Sequence, residues 1–496
     1  MRALIHGAGA LAFLALATLN SGGYRFGAAD QAFYIPAVLK RLDPSLFPRD
    51  TALLEPQARY FFVDEIVAGT MRATGWSLEA CFAAGYVLTL ALLYVALWRL
   101  GYVLFQSPLA SWALIAAETL RHRITKTGVN TLESYFHPRV LVFAIGVWAI
   151  GTYLRGRPRL AMGAILAAGL LHPTMAAFFV LFLAAAIWTT EPRLRRVVGL
   201  LSVVGLVGLA WLLLGGPMQG SLSPMDPEWR ELLSAKDYLF PVRDWTAGAW
   251  IANLGTAGLA IGMLAWRARR DEGSPRERGL LAGALVLLGG FLVTLPAVST
   301  GSALFVQLQI SRVFWILDLL GTIALVWLLV EAPRPLARPP ARWRQAVAAV
   351  LVVAAAARGI WVGFVEHGDR PLIAVGLPDG DWTRVIHWAE QQPSSVHLLA
   401  DPGHAWRFGT PLRHAGRDVF LEEVKDTALA IYARESAARV IERREAVGDF
   451  ATLDAAAARS LATRYRLDYL VIDHDLDLPL AHREGPFRIY ALSRPR

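Results

Sequence analysis

The sequence predicts an α-helical polytopic membrane protein with about 11 spanning helices and a C-terminal periplasmic α/β domain. The chain has 496 residues with a mean hydropathy of +0.41, and only 18% of them are charged, against about 25% in soluble proteins. Up to about Phe364, apolar runs alternate with short polar joints. After about Leu377 the composition is that of an ordinary soluble domain. We therefore expect a membrane domain over residues 1–366 and a soluble domain over 375–496.

The apolar runs are the candidate spans, since a helix needs about 20 apolar residues to cross the hydrocarbon core. Nine runs are near that length: 4–20, 82–105, 138–154, 173–189, 196–214, 248–266, 279–297, 311–330 and 345–364. Two shorter runs, 108–118 and 159–171, complete the set, and without them the alternation of arginine-rich joints would break.

Arginine accumulates in alternate joints, which orients the chain because cytoplasmic loops carry an excess of basic residues. The joints placed in the cytoplasm hold Arg99, Arg155, Arg157, Arg159, Arg193, Arg195, Arg196, Arg267, Arg269, Arg270, Arg276, Arg278, Arg334, Arg338, Arg342 and Arg344. The predicted location is therefore a bacterial inner (cytoplasmic) membrane, with the N-terminus in the cytoplasm and the C-terminal domain in the periplasm. A cleaved signal peptide ending near Ala17 is the alternative for the first run.

The net charge of +9 does not indicate nucleic acid as a partner, because the arginines lie in short joints and not on one face. Cys81 is the single cysteine, so neither an internal disulfide nor a thiolate metal site is expected.

Polar and titratable residues converge on the predicted outer surface, where the long loops lie. Arg139 and Arg312 begin spans there, and His137 and His172 lie at a similar depth. Ionisable groups at the membrane edge are functional candidates by default. The alternatives are arginines that extend to lipid headgroups and histidines that only begin helices before a proline.

The first outer loop, residues 20–80, is too polar to span and too patterned for a linker. Apolar residues at helical spacing in 33–39 and 60–71 predict helices that lie in the plane of the membrane surface. Three acids of this loop, Asp30, Asp64 and Glu65, lie at or near the starts of the predicted helices. Asp30 could also act as an N-cap or turn residue before the first of these helices.

This layout resembles the GT-C glycosyltransferases, integral-membrane enzymes that use sugars carried on polyprenyl phosphate. The stretches GYRFGAADQ (23–31) and LDPSLFPRD (42–50) are similar to a group of bacterial GT-C-type membrane proteins, as are YFHPR (135–139) and LHP (171–173). The order of spans, loops and C-terminal domain is similar over most of the chain, whereas the matching sequence motifs cover about forty residues.

The resemblance implies a transferase that moves a sugar from a polyprenyl-phosphate-linked donor to a periplasmic glycan or lipid acceptor. Asp30 matches the first-loop carboxylate of that superfamily and would act as general base, with Asp64 and Glu65 as second candidates. The residues Arg139, His137, His172 and Arg312 would bind the donor phosphate. No Asp-x-Asp pair follows the first span, so a divalent cation (Mg²⁺ or Mn²⁺) is an open question and no cofactor is assigned.

The C-terminal segment alternates helices and strands, which favours a small α/β layer. Helices are expected over 382–390, 426–447 and 453–466, and strands over 395–400, 468–473 and 487–492. The acidic run 473–477 is interpreted as a solvated loop and not as a cation site. His397, His404 and His414 lack the spacing of a zinc site.

Two other classes of function stay open. A non-catalytic scaffold or accessory subunit of envelope polysaccharide assembly would have the same layout without needing Asp30 to react. A transporter would need ionisable residues in mid-span, for which Asp318 and Glu118 are the candidates.

Overall fold

The structure is a computed structural model that describes residues 2–120, 123–216, 218–270, 273–331 and 341–492. Arg334 and Arg338 of one predicted cytoplasmic joint, and Arg121 at the start of the second outer loop, lie outside the described residues. The chain divides into two compact units. The first comprises Met1–Tyr24, Gly85–Asp226 and Lys236–Leu372, and the second comprises Arg25–Ala84, Pro227–Ala235 and Ile373–Arg496.

A helix occupies each of the eleven predicted apolar segments. These helices are Arg2–Asn20, Leu78–Phe105, Pro108–Leu120, Pro138–Leu154, Pro158–Ala168, Pro173–Thr190, Arg195–Leu214, Ala247–Arg269, Pro275–Ser299, Val313–Val326 and Ala341–Trp361. Shorter helical pieces of the first unit are Pro192–Leu194, Pro241–Asp244, Ala303–Leu308, Ile310–Arg312, Trp327–Glu331 and Val362–Glu366, and its hairpin pairs Arg123–Ile124 with Val129–Asn130.

By length and composition, seven segments of the described chain could cross a membrane. They are Leu78–Phe105, Pro173–Thr190, Pro192–Leu214, Ala247–Arg269, Pro275–Ser299, Ala303–Glu331 and Arg342–Glu366. Four apolar helices are shorter: His6–Asn20, Pro108–Leu120, Pro138–Leu154 and Pro158–Ala168. The chain is thus a mostly helical membrane protein, and a total of eleven spans stays a prediction.

Glycines let neighbouring helices of the first unit approach closely. A Cβ at Gly283 would come within 2.6 Å of the Phe182 ring, and a Cβ at Gly279 within 2.0 Å of the Tyr153 hydroxyl. Small residues allow such contact between membrane helices, whose association depends on close packing. By contrast, Arg195–Leu214 buries only Val198, which is typical of a helix that faces lipid.

The second unit contains a five-stranded sheet. In chain order its strands are His397–Leu399, Asp418–Val419, Tyr469–Ile472, Leu480–Glu484 and Phe487–Ala491. The first strand pairs in parallel with the second on one side and with the third on the other, and antiparallel pairing adds the fifth and then the fourth. The sequence predicted three of these strands, and missed the two-residue second strand and the charged, exposed fourth.

The helices of the C-terminal segment are Asp381–Glu390, His404–Arg407, Leu412–Ala415, Glu423–Leu429, Arg434–Val447, Phe450–Thr452 and Ala455–Tyr465. The single helix predicted over 426–447 is wrong, because the chain leaves the helix between Leu429 and Arg434. There the Ala430 carbonyl accepts the indole N–H of Trp229 at 2.8 Å, and Ala433 is extended.

The first-loop helices belong to the second unit and are Gln31–Leu42, Thr51–Ala58 and Val63–Thr74. Their position in the membrane plane stays a prediction, because apolar side chains of the first two pack on protein whereas Ile66 of the third is 52% exposed. Phe33, Leu53 and Leu54 form one buried cluster with Leu429. An amphipathic helix buries its apolar stripe wherever a partner covers it, and here that partner is protein.

Candidate functional site

Asp30 stands immediately before the first helix of the first loop. Its carboxylate lies 3.5 Å from Nζ of Lys425, and about 30% of its side chain is exposed. The side chain makes no capping hydrogen bond to the helix, so the N-cap alternative is not what positions it. Lys425 also lies over the Phe33 ring, 5.6 Å from its centroid.

A strained turn presents Asp30. Gly27 has φ +77°, and a Cβ there would come within 2.7 Å of Leu377. The Gly27 N–H donates to Oε1 of the buried Gln31 at 2.7 Å, which closes the turn around Asp30. Ala29 has φ +49°, a left-handed conformation that a residue with a Cβ adopts at an energetic cost. Such strain concentrates at functional sites.

Asp64 and Glu65 share Arg41 as a partner. Arg41 Nε donates to Oδ2 of the buried Asp64 at 2.9 Å, and its Nη2 pairs with Glu65. Burial and a hydrogen bond with Asp64 raise the pKa of Glu65. Because Arg41 ends the first loop helix and Asp64 begins the third, this ion pair connects the two helices.

Arg139 forms a buried ion pair in the first unit. Its Nη2 donates to Oε1 of Glu133 at 2.7 Å, and both side chains are less than 10% exposed. Asn130 donates to the same carboxylate oxygen at 3.2 Å. Glu133 is not among the site residues predicted from the sequence, although its position six residues before Arg139 was a usable signal.

His137 and His172 both cap helices that start at a proline. Nδ1 of His137 accepts the Arg139 N–H at 3.3 Å, and Nδ1 of His172 accepts the Met175 N–H at 3.3 Å. The helix-start role is therefore present at both positions. It also sets the tautomer, because a neutral ring that accepts at Nδ1 carries its proton on Nε2 and can donate there.

The four predicted phosphate-binding residues lie together in the first unit. Burial holds the pKa of His172 well below its usual range, and the nearby charges of Arg312, His137 and Arg139 lower it further. His172 is consequently neutral near pH 7. Arg312 is 6% exposed and follows Gln309, which has φ +51°, a second strained backbone position next to a candidate residue.

Aromatic packing holds the loop that carries this basic group. The Trp315 indole N–H donates to the Thr131 hydroxyl at 2.9 Å, and its ring stacks on Phe143 with centroids 4.2 Å apart. These contacts join the loop before Arg139, the helix after it, and the helix that follows Arg312. Asp318 and Glu118, the two mid-span acids, are also buried.

A buried charge cluster in the second unit was not predicted at all. It comprises Asp50, Arg413, Glu422, Asp426 and Arg439. Nε of Arg413 donates to Asp50 at 2.9 Å, and its Nη1 donates to Glu422 and to Asp426 at 2.8 Å each. Arg439 pairs with the other oxygen of Asp50. Neither Asp50 nor Arg413 has exposed surface.

Burial and neighbouring charges shift the pKa of Glu422, in this buried charge cluster, and the pKa of Asp418, beside it, in opposite directions. Burial alone would raise the pKa of Glu422, but the Arg413 charge, the hydrogen bond and charge of His404 and the Arg413 backbone N–H together lower that pKa to about 2. Beside the cluster, Asp418 accepts the backbone N–H groups of Arg49 and Asp50. Burial and repulsion from Asp50 nevertheless raise the pKa of Asp418 to about 6.

The candidate acids do not fit a divalent-cation site. Mg²⁺ and Mn²⁺ require several converging oxygen ligands, whereas Asp30 faces Lys425, and Asp64 and Glu65 face Arg41. Across the part of the chain that the structure describes, no group of three or more His, Cys, Asp or Glu side chains could hold a metal ion.

The structure thus brings Arg139, His137, His172 and Arg312 together in the first unit, and places Asp64 beside Glu65 in the second. Asp30 belongs to the second unit and is held separately by its own turn.

No family model matches the chain, and no curated protein matches it. Among solved structures, the chain is similar to the apo crystal structure of the Archaeoglobus fulgidus oligosaccharyltransferase, with 14% sequence identity and a TM-score of 0.44. The alignment covers 94% of this chain and 69% of the archaeal one. A likeness of this strength carries no argument about activity.

Proposed function

We propose that this protein is a GT-C-type membrane glycosyltransferase of the bacterial inner membrane, which transfers a sugar from a polyprenyl-phosphate-linked donor to a periplasmic envelope acceptor. One observation carries the proposal: Arg139, Arg312, His137 and His172 form a buried basic group in a unit made of apolar helices. Two guanidinium groups and two imidazole rings buried together concentrate N–H donors that suit an anion, and ionisable groups in such a setting are functional candidates. A lipid phosphate is the anion that a membrane supplies.

The four residues offer the donors that a phosphate needs. Each arginine presents a planar fork of N–H groups suited to phosphate oxygens. The two histidines add Nε2–H donors whose orientation is fixed by their capping bonds. Glu133 offsets one of the positive charges while no phosphate is bound and holds Arg139 in position.

In the proposed reaction, the acceptor hydroxyl oxygen attacks the anomeric carbon of the donor sugar while the bond from that carbon to the phosphate oxygen breaks. The hydroxyl proton passes to the Asp30 carboxylate, which serves as general base. The bonding electrons leave with the polyprenyl phosphate, whose added negative charge Arg139 and Arg312 stabilise. Lys425 Nζ lies 3.5 Å from the Asp30 carboxylate and is the cation beside the proposed base. Asp64 and Glu65 are the second candidates for the base.

Carrier binding tests the phosphate assignment. The protein is placed in nanodiscs, and saturable binding of undecaprenyl phosphate is measured for wild type, Arg139→Gln and Arg312→Gln. Each arginine variant should bind at least about 10-fold more weakly, since a hydrogen bond to a charged group contributes roughly 1.5–3 kcal/mol. Arg243→Gln is the matched control, because it removes one positive charge from an exposed side chain that pairs with its neighbour Asp244. Equal binding by all four proteins would refute the donor-lipid mechanism.

A non-catalytic scaffold of envelope polysaccharide assembly is the second candidate. It is favoured by the structural partners of the candidate residues, since both histidines cap helices and Asp30 pairs with Lys425. Asp30→Asn separates the two functions: a transferase keeps carrier binding and loses transfer, whereas a scaffold still supports polysaccharide assembly in cells. Full assembly by cells that carry only Asp30→Asn would exclude Asp30 as the base.

A further inference from the structure

A cavity of about 470 Å³ lies beside the C-terminal sheet, at one end of its strands. Its wall includes Asp401 to Gly403, which follow the strand His397–Leu399, and Asp473, which follows the strand Tyr469–Ile472. These two strands are parallel neighbours, so the cavity lies at their carboxyl ends. Its size falls within the range of about 300–1,000 Å³ found for small-molecule sites.

The strand order creates a topological switch point at the carboxyl ends of these two strands. After the strand His397–Leu399 the chain pairs Asp418–Val419 on one side of it, and then returns to pair Tyr469–Ile472 on the other. The connections therefore diverge on either side of the first strand. Open α/β sheets bind ligands in the crevice that such a divergence leaves at the carboxyl ends of the strands.

Aromatic rings form one wall of the cavity. The rings of Trp382, Phe408 and Phe487 pack with centroid distances of 4.7, 5.3 and 5.2 Å. The Trp382 N–H is used internally, donating to the Thr410 carbonyl at 2.9 Å. Trp382 and Phe487 are each only 7% exposed, so the partly buried Phe408 offers most of the ring surface of this wall, and the wall offers no indole hydrogen bond.

Carboxylates form the rest of the polar lining. Asp401, Glu423, Asp449 and Asp473 line the cavity against a single guanidinium, that of Arg407, which leaves three net negative charges. Arg407 is already shared between Asp401 at 3.3 Å and Asp473 at 3.5 Å. An anionic ligand would be repelled, and a ligand with several hydrogen-bond donors would find acceptors with unused lone pairs, because an ionised carboxylate only accepts.

We infer that this cavity binds an uncharged saccharide, with the C–H face of a sugar ring against the aromatic wall and its hydroxyls donating to Asp401 and Asp473. A compact organic cation is the competing ligand on charge alone, but at Asp401 and Asp473 the Arg407 guanidinium already occupies the cation position and lies 5.2 Å from the centre of the Phe408 ring. The inference concerns a second site and does not rest on the proposed transferase reaction.

Saturation-transfer NMR on the full-length protein in nanodiscs tests the inference. The probes are methyl glycosides of glucose, galactose and mannose, with glucose 1-phosphate as the anionic counterpart and tetramethylammonium as the cation. We expect saturable transfer from at least one glycoside, and binding at least 10-fold weaker in the double variant Asp401→Asn/Asp473→Asn and in Phe450→Ala, whose ring is half-buried in the lining. Glucose 1-phosphate should bind more weakly than methyl glucoside.

Asp475→Asn is the matched control. Asp475 lies in the same loop as Asp473, but it pairs with Arg488 and is not part of the cavity lining. It should bind the glycosides as the wild type does. The inference fails if no glycoside shows saturable transfer, if the phosphate or the cation binds more tightly than every glycoside, or if Asp475→Asn weakens binding as much as the double variant. Transfer that the double variant keeps but Arg139→Gln loses would place the sugar in the first unit and also overturn it. Unchanged thermal unfolding of the variants shows that they are folded.

Discussion

Nε of Arg413 donates a hydrogen bond of 2.9 Å to Oδ2 of Asp50, although 363 positions separate the two residues in the sequence. Both side chains are fully buried. The remaining N–H groups of Arg413 reach Glu422, Asp426 and the Val419 carbonyl. The loop after the first apolar helix is thus joined to the C-terminal segment by a set of buried charges, and each member depends on the others because an unpaired buried charge is costly.

Asp50→Asn should destabilise the second unit by about 3–5 kcal/mol, the cost of removing one partner from a buried ion pair. The measurement is pulse proteolysis during heating, followed by mapping of the cleavage sites to this unit. Asp43→Asn is the control, since Asp43 is an exposed acid of the same loop. Equal protease resistance of the two variants would mean that the buried charge cluster contributes little stability.

Acid should weaken the second unit through His397. Burial lowers the pKa of His397 to about 3, whereas an unfolded histidine has a pKa near 6.5. Between these values the unfolded state binds the extra proton, so the free energy of unfolding falls as the pH drops from about 6.5 towards 3. His397→Gln cannot take up that proton and should show a flatter loss of stability over the same range, measured by chemical unfolding at several pH values. An unchanged slope would contradict this linkage.

His172 combines a capping role with the proposed phosphate contact, and two substitutions separate them. His172→Ala removes the cap and should cost about 1 kcal/mol of stability, while His172→Asn supplies a new capping oxygen and should cost less. Both variants lose the Nε2–H donor, so both should bind undecaprenyl phosphate more weakly. Thermal unfolding and carrier binding are measured on the same samples. Normal binding by His172→Asn would leave this histidine with the capping role alone.

Glu133 competes with the proposed phosphate for Arg139. Glu133→Gln removes the negative charge 2.7 Å from the guanidinium and keeps an amide oxygen of similar size. We expect several-fold tighter binding of undecaprenyl phosphate, with a steeper dependence on salt because one more positive charge is available. Weaker binding would show instead that the carboxylate is needed to position Arg139.

Gly283 tests the close approach of two membrane helices. Gly283→Ala places a methyl group within 2.6–2.8 Å of Phe182, and overpacking of this kind costs roughly 1–3 kcal/mol. Gly289→Ala lies in the same helix with no atom within 4 Å of the added carbon, so it should be neutral or slightly stabilising. The thermal unfolding of both variants is compared in one lipid mixture. Similar destabilisation by both would point to helix flexibility and not to packing.

Hydrophobic patterning predicted the helices well, because an apolar run long enough to cross a bilayer has few other structures available. The sequence also selected Arg139, Arg312 and the two histidines, since a charge beside a long apolar run is conspicuous. Their proximity needed the structure, because helix packing and not sequence spacing brings Arg139 and Arg312 together.

The buried charge cluster could not be predicted, because nothing local distinguishes Asp50 or Arg413 from exposed charges in polar segments. The same reason explains the first-loop helices. Their amphipathic pattern shows that an apolar stripe is buried, but does not show whether lipid or Leu429 covers it. The helix break near Ala430 likewise depends on Trp229, about two hundred positions earlier.

The hydrogen bond between Arg413 and Asp50 forms only after the ribosome has synthesised most of the chain. At about 5–20 residues per second of synthesis, the ribosome needs on the order of 20–70 s to cover the 363 positions between them. Throughout that time the Asp50 carboxylate lacks the Arg413 guanidinium that donates to it, and Phe33, Leu53 and Leu54 lack Leu429. A product that ends before Arg413 therefore leaves the Asp50 carboxylate without this guanidinium, and we expect it to be cleaved by proteases more readily than the full-length protein.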